Sequence, residues 1–252
     1  MVGVTRLRFL LQRLERWGKE KEYRRELKKF REMNKADNRM TVTDEDLWVF
    51  LNDATKETIY DTHYIYHPAW ATRIIKEIGP PRHVDISSTL HFCSMLSAFL
   101  PVDYYEFRPA RLNLSNLTSQ FADLTQLPFE TGSLESVSCM HTIEHVGLGR
   151  YGDPLDPGAD VKALKELQRV TQANGNLLIV TPVGLPKVQF NGQRIYSFEL
   201  IHDLFDNFEL RDFSLVTDSG DFVNSADPAL VKHQQHGCGC FWYIKKPVNE
   251  SI

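Results

Sequence analysis

The chain has 252 residues, 42% hydrophobic and 25% charged, which suffices for one sizeable α/β domain with an extension and excludes two large independent domains. Residues 1–39 carry 13 Lys and Arg against 6 Asp and Glu, net +7, whereas the remainder carries 16 against 27, net −11. The acidic body excludes broad nucleic-acid binding by the main domain, because neutralising phosphates requires a basic face.

The four cysteines are too few for a disulfide framework in a chain of this size, and no cleavable signal peptide is apparent at the start. The longest apolar runs are also far shorter than the roughly 18 residues that span a bilayer. These features predict a cytoplasmic protein in a reducing compartment. Any membrane contact is expected to be peripheral, at the inner membrane.

The first 40 residues are predicted to form a basic helical arm. Apolar residues recur at helical spacing between Thr5 and Met33, which indicates one or two amphipathic helices. Such an arm can lie on anionic lipid, pair with a partner protein or pack on its own domain, and the sequence leaves these alternatives open. Residues from Asn34 to Thr43 are expected to form a linker.

Residues 41–80 are predicted to be a second helical region. The helix is expected from about Thr43 to Ile78, with an interruption near Asp61, and Pro80-Pro81 follows it. This region contains a cluster of aromatic and histidine side chains that includes Tyr64 and His67. Aromatic residues at helical spacing commonly belong to a core, so the cluster alone does not define a site.

Residues 81–252 are predicted to form one α/β domain, because short apolar strands alternate with helices. This alternation indicates a right-handed, mostly parallel sheet with helices on both faces. The last two strands are joined by a loop without a helix, which favours an antiparallel final strand. The seven expected strands are His83–Ile86, Val102–Phe107, Leu117–Ala122, Val137–Met140, Asn176–Val180, Phe208–Val216 and Gly239–Ile244.

Three acids lie at or just beyond strand ends, where ligands bind in open α/β sheets. Asp85 closes the first strand, and Glu106 closes the second at the spacing expected of an acid that binds ribose hydroxyls. Asp123 follows the third strand. Its carboxylate is suited to an adenine amino group, while the backbone amide of Leu124 would face a ring nitrogen. A solvated surface turn is the alternative at Asp123.

The run ADLTQLPFETGSLESVSCMHTIEHV, Ala122–Val146, combines an acid, Leu-Pro-Phe, a Gly-Ser turn, a buried strand and His-x-x-Glu-His. With the upstream acids, this pattern resembles the cofactor-binding half of class I S-adenosylmethionine-dependent methyltransferases, and the similarity extends roughly from Pro81 to Phe198. Together with the continuation to Ser197, it is similar to a bacterial methyltransferase-like subgroup of uncharacterised function. The resemblance implies a Rossmann-like seven-stranded sheet and S-adenosyl-L-methionine as cofactor.

The resemblance also implies roles for individual residues. Glu106 would bind the ribose and Asp123 the adenine, and His141 would lie beside the methyl group. The family's first loop reads acid-x-Gly-x-Gly-x-Gly, but no glycine follows Asp85 here. Ser87 and Thr89 are expected to hydrogen-bond the methionine end of the cofactor instead.

The catalytic candidates follow the fourth strand. His145 is the first candidate for a general base, with His141 and Glu144 beside it, because histidine titrates near neutral pH. The alternative is structural, with Glu144 capping backbone amides and His145 packed beneath a loop. In methyltransferases of this kind, helices before the first strand often form a lid over the acceptor. The acceptor residues we predict are Tyr64, His67, Arg150, Tyr151 and Arg194.

The predicted function is therefore methyl transfer to a small-molecule or sugar acceptor, related to polysaccharide biosynthesis. The run His233-x-x-His236-x-Cys238-x-Cys240 offers four zinc ligands, but its tight spacing favours a structural role, and no metal is predicted. The main alternative is a non-catalytic scaffold or membrane-proximal adaptor that has lost the glycine loop. A nicotinamide-dependent oxidoreductase ranks last, because the glycine fingerprint is missing.

Overall fold

The computed structural model describes residues 2–36 and 39–247. The chain forms two compact units, Met1–Tyr60 and Asp61–Ile252. Among the described residues, no helix combines the length and the apolar character needed to cross a membrane. All four cysteines are buried and carry free thiols.

The first unit contains one long helix, α1 (Val2–Asn34). The predicted helix between Thr5 and Met33 is thus confirmed, as a single element. Pairs of opposite charge three or four residues apart, such as Arg16 with Glu20, run along it. The apolar side chains of Leu14 and Trp17 are 63% and 64% exposed. The arm therefore presents both its charges and part of its apolar stripe to solvent.

The predicted helix between Thr43 and Asp61 is wrong, because this stretch has neither helix nor strand. Threonine, aspartate, asparagine and β-branched residues dominate it, and all of these have low helix propensity. Their side chains also bond locally: the hydroxyl of Thr43 donates to Asp46 at 2.6 Å, and that of Thr55 donates to the Glu57 carbonyl at 2.6 Å. Such bonds compete with the helical backbone pattern.

The second unit is built on an eight-stranded sheet in the order β3-β2-β1-β4-β5-β10-β8-β9. Strands β1 to β5 pair in parallel, whereas β10 is antiparallel to both β5 and β8. The predicted sheet with an antiparallel last strand is confirmed, with β9 as a short additional edge strand. The strands are β1 (His83–Ile86), β2 (Val102–Glu106), β3 (Leu117–Phe121), β4 (Leu134–Met140), β5 (Thr171–Val183), β8 (Phe208–Val216), β9 (Phe222–Val223) and β10 (Gly237–Lys245), and the hairpin strands are β6 (Lys187–Gln189) and β7 (Gln193–Ile195).

Helices cover the sheet, which divides the apolar core into two clusters. One cluster contains residues of α2 and α3, and the other contains residues of α4 and α5. The helices are α2 (Thr62–Ile78), α3 (Leu90–Leu96), α4 (Ala159–Val170) and α5 (Phe198–His202), with 3₁₀ turns η1 (Ile143–His145) and η2 (Pro228–His233).

Helix α2 begins and ends at residues suited to those positions. The Asp61 side chain accepts a hydrogen bond from the Tyr64 amide at 3.2 Å, and Gly79 ends the helix with φ +62°. The helix therefore starts at the point where the sequence predicted only an interruption.

A polar network is buried between β1 and β4. His83 has no exposed surface, and its two ring nitrogens hydrogen-bond to Ser136 and Ser138 at 2.8 Å each. Ser138 also donates to the carboxylate of Asp85, which is fully buried. Burial raises the pKa of Asp85 to about 6, although its hydrogen bonds to Ser138 and Ser88 act in the opposite direction. Asp85 therefore belongs to the interior of the sheet.

The substitution Asp85→Asn should remove a pH dependence of stability. The folded-state pKa of Asp85 lies above its ordinary value of 3.8, so the stability this group contributes is full below about pH 4 and is lost as the pH rises through about 6. Between about pH 4 and about pH 8, we expect wild type to lose about 2 kcal/mol relative to D85N. Urea unfolding at several pH values measures this.

The matched control is Glu135→Gln, on the exposed part of β4. This variant should keep the wild-type pH dependence. Parallel stability curves for wild type and D85N would show that Asp85 is ionised to the same extent in the folded and unfolded states.

Candidate active site

A cleft of about 230 Å³ opens at the carboxyl ends of the parallel strands. Ligands bind at this edge of open α/β sheets because strand ends and loops converge there. Seven residues predicted from the sequence line the cleft: Ser87, Glu106, Asp123, Leu124, His141, His145 and Tyr151.

Two turns with unusual backbone geometry form part of the cleft. Ser87 follows β1 with φ 60° and His141 follows β4 with φ 54°, and this left-handed region is unfavourable for both residue types. Hydrogen bonds hold the turns in place: the Ser87 amide donates to the Tyr105 carbonyl at 2.7 Å, and the His141 amide donates to the Val180 carbonyl at 2.8 Å. The hydroxyl of Thr142 donates to the Ser87 carbonyl at 2.8 Å and links the turns.

Side chains, rather than glycines, shape the loop after β1. The Ser88 hydroxyl accepts from the Met140 amide at 3.0 Å, while the Ser88 amide donates to Asp85 at 2.9 Å. Thr89 caps α3 by accepting from the Phe92 amide at 3.3 Å. Of the three predicted ligands in this loop, only Ser87 lines the cleft, because Asp85 and Thr89 are used inside the fold.

Two acids, Glu106 and Asp123, line the cleft. Glu106 accepts from the Tyr104 hydroxyl and from the Arg108 amide, each at 3.2 Å. Asp123 accepts from the amide and the hydroxyl of Thr125 at 2.8 Å and 2.7 Å, both at Oδ1. These bonds orient the two carboxylates and leave acceptor capacity for a ligand.

The loop after η1 forms another wall of the cleft. Asp153 accepts from the amides of Gly147, Tyr151 and Gly149. Partial burial alone would raise the pKa of Asp153, but the backbone hydrogen bonds outweigh it and the net pKa is lowered. Gly147 has φ +79°, and a Cβ there would lie 2.1 Å from the Asp156 carbonyl oxygen. The loop therefore depends on a charged aspartate and on glycine at position 147.

An aromatic and basic group closes one end of the cleft. The Arg108 guanidinium lies 4.4 Å from the centre of the Tyr151 ring, and that of Arg150 lies 5.2 Å from it. The His145 ring contacts Tyr151 edge-on at 5.7 Å. Arg150 also donates to the Gly192 carbonyl at 3.2 Å. It lies beside the cleft but is not one of the lining residues.

Glu144 is the buried partner of two histidines. Its Oε1 lies 2.9 Å from His141 Nδ1 and 3.8 Å from His145 Nε2, and the residue is 1% exposed. His145 Nδ1 lies 2.7 Å from the Gly192 carbonyl oxygen. Arg150 Nη1, a donor, lies 3.3 Å from the same nitrogen. We assign the proton to Nδ1 from the shorter contact with the carbonyl, which makes Nε2 the basic nitrogen of neutral His145. Glu144 does not line the cleft and can act only through the histidines.

Four of the five predicted acceptor residues, Arg150 among them, lie outside the cleft lining. The rings of Tyr64 and His67 pack against His141 at centroid distances of 5.3 Å and 5.0 Å. Arg194 is 5% exposed and donates to the carbonyls of Val146 and Pro157 at 2.6 Å and 3.3 Å. Arg194 therefore supports the cleft loop from inside the fold.

Several lining residues were missed in the sequence. Arg108 comes two residues after Glu106, and its position just past a strand end was an available signal. Asp153 lies in a glycine-flanked loop, where an acid commonly binds backbone amides. Thr142 carried no local signal, because its role depends on the turn after β1, 55 positions away in sequence.

Comparisons with known proteins agree with this architecture. A family model described as "Caenorhabditis protein of unknown function, DUF268" matches residues 108–230. No curated protein matches the chain. Three solved structures illustrate the likeness, at 11–12% sequence identity.

A candidate methyltransferase of Bacillus halodurans C-125 is 12% identical, with a TM-score of 0.51 over 71% of this chain and 99% of its own. A candidate sarcosine dimethylglycine methyltransferase of Galdieria sulphuraria is 12% identical, with a TM-score of 0.50 over 72% and 86% of the two chains. The 1,6-didemethyltoxoflavin-N1-methyltransferase of Burkholderia thailandensis, solved with its namesake ligand and S-adenosylhomocysteine, is 11% identical, with a TM-score of 0.50 over 72% and 79%.

The second unit thus has the fold of class I S-adenosylmethionine-dependent methyltransferases. At these identities the likeness concerns the fold alone. The finer resemblance to a bacterial subgroup stays a prediction.

The substitution Gly147→Ala should destabilise the cleft loop more than Gly152→Ala. Both glycines have positive φ, +79° and +85°, so both variants incur backbone strain. Only at position 147 would the new methyl group overlap other atoms, at 2.1 Å from the Asp156 oxygen and 2.6 Å from Ala159 Cβ. We expect a loss of about 1 kcal/mol for G152A and about 3 kcal/mol for G147A in urea unfolding. Equal losses would contradict the packing we describe at position 147.

Proposed function

We propose that this protein is an S-adenosylmethionine-dependent methyltransferase that binds its cofactor in the cleft. The observation that carries the proposal is the convergence of Ser87, Glu106 and Asp123 from three neighbouring strand ends on one cleft. The order of these strands along the sheet edge supports an extended nucleoside ligand, with one acid for the ribose and another for the base.

Glu106 is the proposed ribose ligand. A carboxylate can accept hydrogen bonds from two vicinal hydroxyls, and the contacts with Tyr104 and Arg108 hold it in one orientation. Asp123 is the proposed ligand of the adenine amino group. Among the described residues, both of its side-chain hydrogen bonds end on Oδ1, so Oδ2 has capacity for this contact. The Leu124 amide would then bind a ring nitrogen.

The charge of the cleft favours a cationic ligand over a dinucleotide. Its lining contains four acids and one permanently charged base, Arg108; the acids are Glu106, Asp123, Asp153 and Asp156. S-adenosylmethionine carries a sulfonium and an ammonium against one carboxylate, a net charge of +1, which this potential attracts. A pyrophosphate-containing cofactor would be repelled. The glycine-free loop, which contributes Ser87 at the proposed methionine end, also argues against pyrophosphate binding.

His145 is the proposed general base. Methyl transfer depends mainly on in-line positioning of the acceptor, and a base contributes when the acceptor is a hydroxyl. Nε2 is the nitrogen available for this role, and Glu144 at 3.8 Å would stabilise the imidazolium that forms. Beside it, the guanidinium groups of Arg108 and Arg150 lie over the Tyr151 ring and offer hydrogen-bond donors for the oxygens of a polar acceptor. The acceptor we propose is accordingly a small hydroxyl-bearing molecule such as a sugar, which fits a role in polysaccharide biosynthesis.

A non-catalytic scaffold is the second candidate function. Two observations favour it. The loop after β1 lacks glycine, and its acid, Asp85, is buried and hydrogen-bonded inside the fold. In this alternative the basic helix α1 would carry the activity by contacting a protein partner or an anionic membrane surface. Its exposed Leu14 and Trp17 are suited to such contact.

Cofactor binding separates the two candidates. We expect wild type to bind S-adenosylhomocysteine with a micromolar Kd in isothermal titration calorimetry. Glu106→Gln and Asp123→Asn should each weaken binding by about ten- to a hundredfold, because each loses a charge-assisted hydrogen bond to the ligand. Glu130→Gln, which removes an exposed acid that does not line the cleft, should bind like wild type.

Two results would count against the enzyme. The first is no binding by folded wild-type protein at millimolar S-adenosylhomocysteine, which would favour the scaffold. The second is cofactor binding that E106Q and D123N leave unchanged, which would show that the cofactor binds at another surface.

A further inference from the structure

A cluster of histidine, tyrosine and cysteine side chains surrounds the His141 ring. The rings of His63 and Tyr64 lie 5.5 Å and 5.3 Å from it, and the thiol of Cys238 lies 3.4 Å from its Nε2 atom. The ring of His236 stacks on His63 at 5.2 Å. The proposed methyl transfer uses none of these contacts, so the cluster calls for its own physical account.

Three members of this cluster have the geometry of metal ligands. One donor atom each of His63, His141 and Cys238 lie within 4.8 Å of one another. In a tetrahedral zinc site with Zn–N of about 2.0 Å and Zn–S of about 2.3 Å, the nitrogen and the sulfur lie about 3.5 Å apart. The His141 Nε2 to Cys238 Sγ distance of 3.4 Å matches this separation.

His141 is also held as a metal-bound histidine usually is. A ligating histidine commonly binds the ion through one nitrogen and donates through the other to a carboxylate or a backbone carbonyl. His141 Nδ1 contacts the Glu144 carboxylate at 2.9 Å, which directs Nε2 toward Cys238. The His63 ring is held by stacking on the rings of His141 and His236, at centroid distances of 5.5 Å and 5.2 Å.

Another buried histidine lies beside the proposed ligands. His67 has no exposed surface, and neither of its ring nitrogens has a hydrogen-bond partner among the described residues. Buried polar atoms are normally hydrogen-bonded, so this imidazole indicates a polar partner missing from the cluster.

We propose that His63, His141 and Cys238 bind a zinc ion. Two imidazoles and one thiolate are a donor set that zinc prefers, and three protein ligands leave a fourth coordination position open. The Cys238 thiol would release its proton to solvent on binding, with no redox change. The ion would join α2, the turn after β4 and β10. This inference goes beyond the proposed methyl transfer and does not rest on it.

The proposed ligands differ from the run His233 to Cys240, whose tight spacing disfavours a tetrahedral site. In the structure, His233 lies exposed in η2, and of this run only Cys238 is one of the three ligands that we propose. The other two ligands come from distant parts of the chain, which no local motif can reveal.

The test uses full-length protein depleted of metal with a chelator and titrated with CoCl₂ and ZnCl₂. We expect one equivalent of Co²⁺ to produce a near-ultraviolet thiolate-to-cobalt absorption band, which Zn²⁺ then displaces. Cys238→Ser should abolish the band, and His63→Ala should weaken Co²⁺ binding at least tenfold. The matched control is His233→Ala, which removes an exposed histidine of the neighbouring motif and should leave the titration unchanged.

Two outcomes would overturn the proposal: folded wild type that gives no thiolate band with excess Co²⁺, or a band that persists in C238S. Because Cys238 is buried, C238S could unfold, and H63A on the partly exposed start of α2 then provides the test. Circular dichroism establishes folding in each case. Wild-type affinity in folded H63A would also overturn the site. Calorimetry with S-adenosylhomocysteine is a separate measurement, so either proposal can fail without the other.

Discussion

The linkage between the turns after β1 and β4 is the constraint on which the cleft depends. Both turns place a residue other than glycine in the left-handed region, and such strain persists only where surrounding contacts determine it. Two hydrogen bonds supply these contacts. The Thr142 hydroxyl donates to the Ser87 carbonyl, and the Met140 amide donates to the Ser88 hydroxyl. Beneath these turns, the hydrogen-bonded serine and aspartate side chains of β1 and β4 fill the space that a glycine loop would leave open. The chain thus builds the cofactor edge of this fold from polar side chains.

Much of the fold could be predicted from the sequence, because local patterns determine it. The strands β1 and β8 have the predicted bounds, and the antiparallel β10 follows from a strand pair without a connecting helix. The predicted helix between Thr43 and Asp61 is absent because threonine and aspartate, which recur in this stretch, have low helix propensity. The spacing of apolar residues indicates which face of a helix would be buried, whereas helix propensity influences whether the backbone becomes helical at all.

The site was less predictable, because side-chain direction depends on tertiary contacts. Glu106, Asp123 and His141 could be placed at the cleft, since the ends of parallel strands converge. Asp85 lies close to such an end and Arg194 lies in the hairpin strand β7, yet both are buried and bonded within the fold. A strand-end acid can point to the ligand edge or back into the sheet. The choice here follows from Ser138, 53 positions away, which donates to Asp85.

His141 belongs to both of the sites that we propose, and this has a thermodynamic consequence. Its ring lines the cleft, while its Nε2 faces Cys238 and its Nδ1 faces Glu144. An ion bound at Nε2 would restrict the ring and support its strained backbone, so a cofactor entering the cleft would meet a turn that is already ordered. Coupling of this kind is reciprocal in free energy. Metal loading and cofactor binding should therefore strengthen each other by the same factor, and a single residue, His141, would transmit both effects.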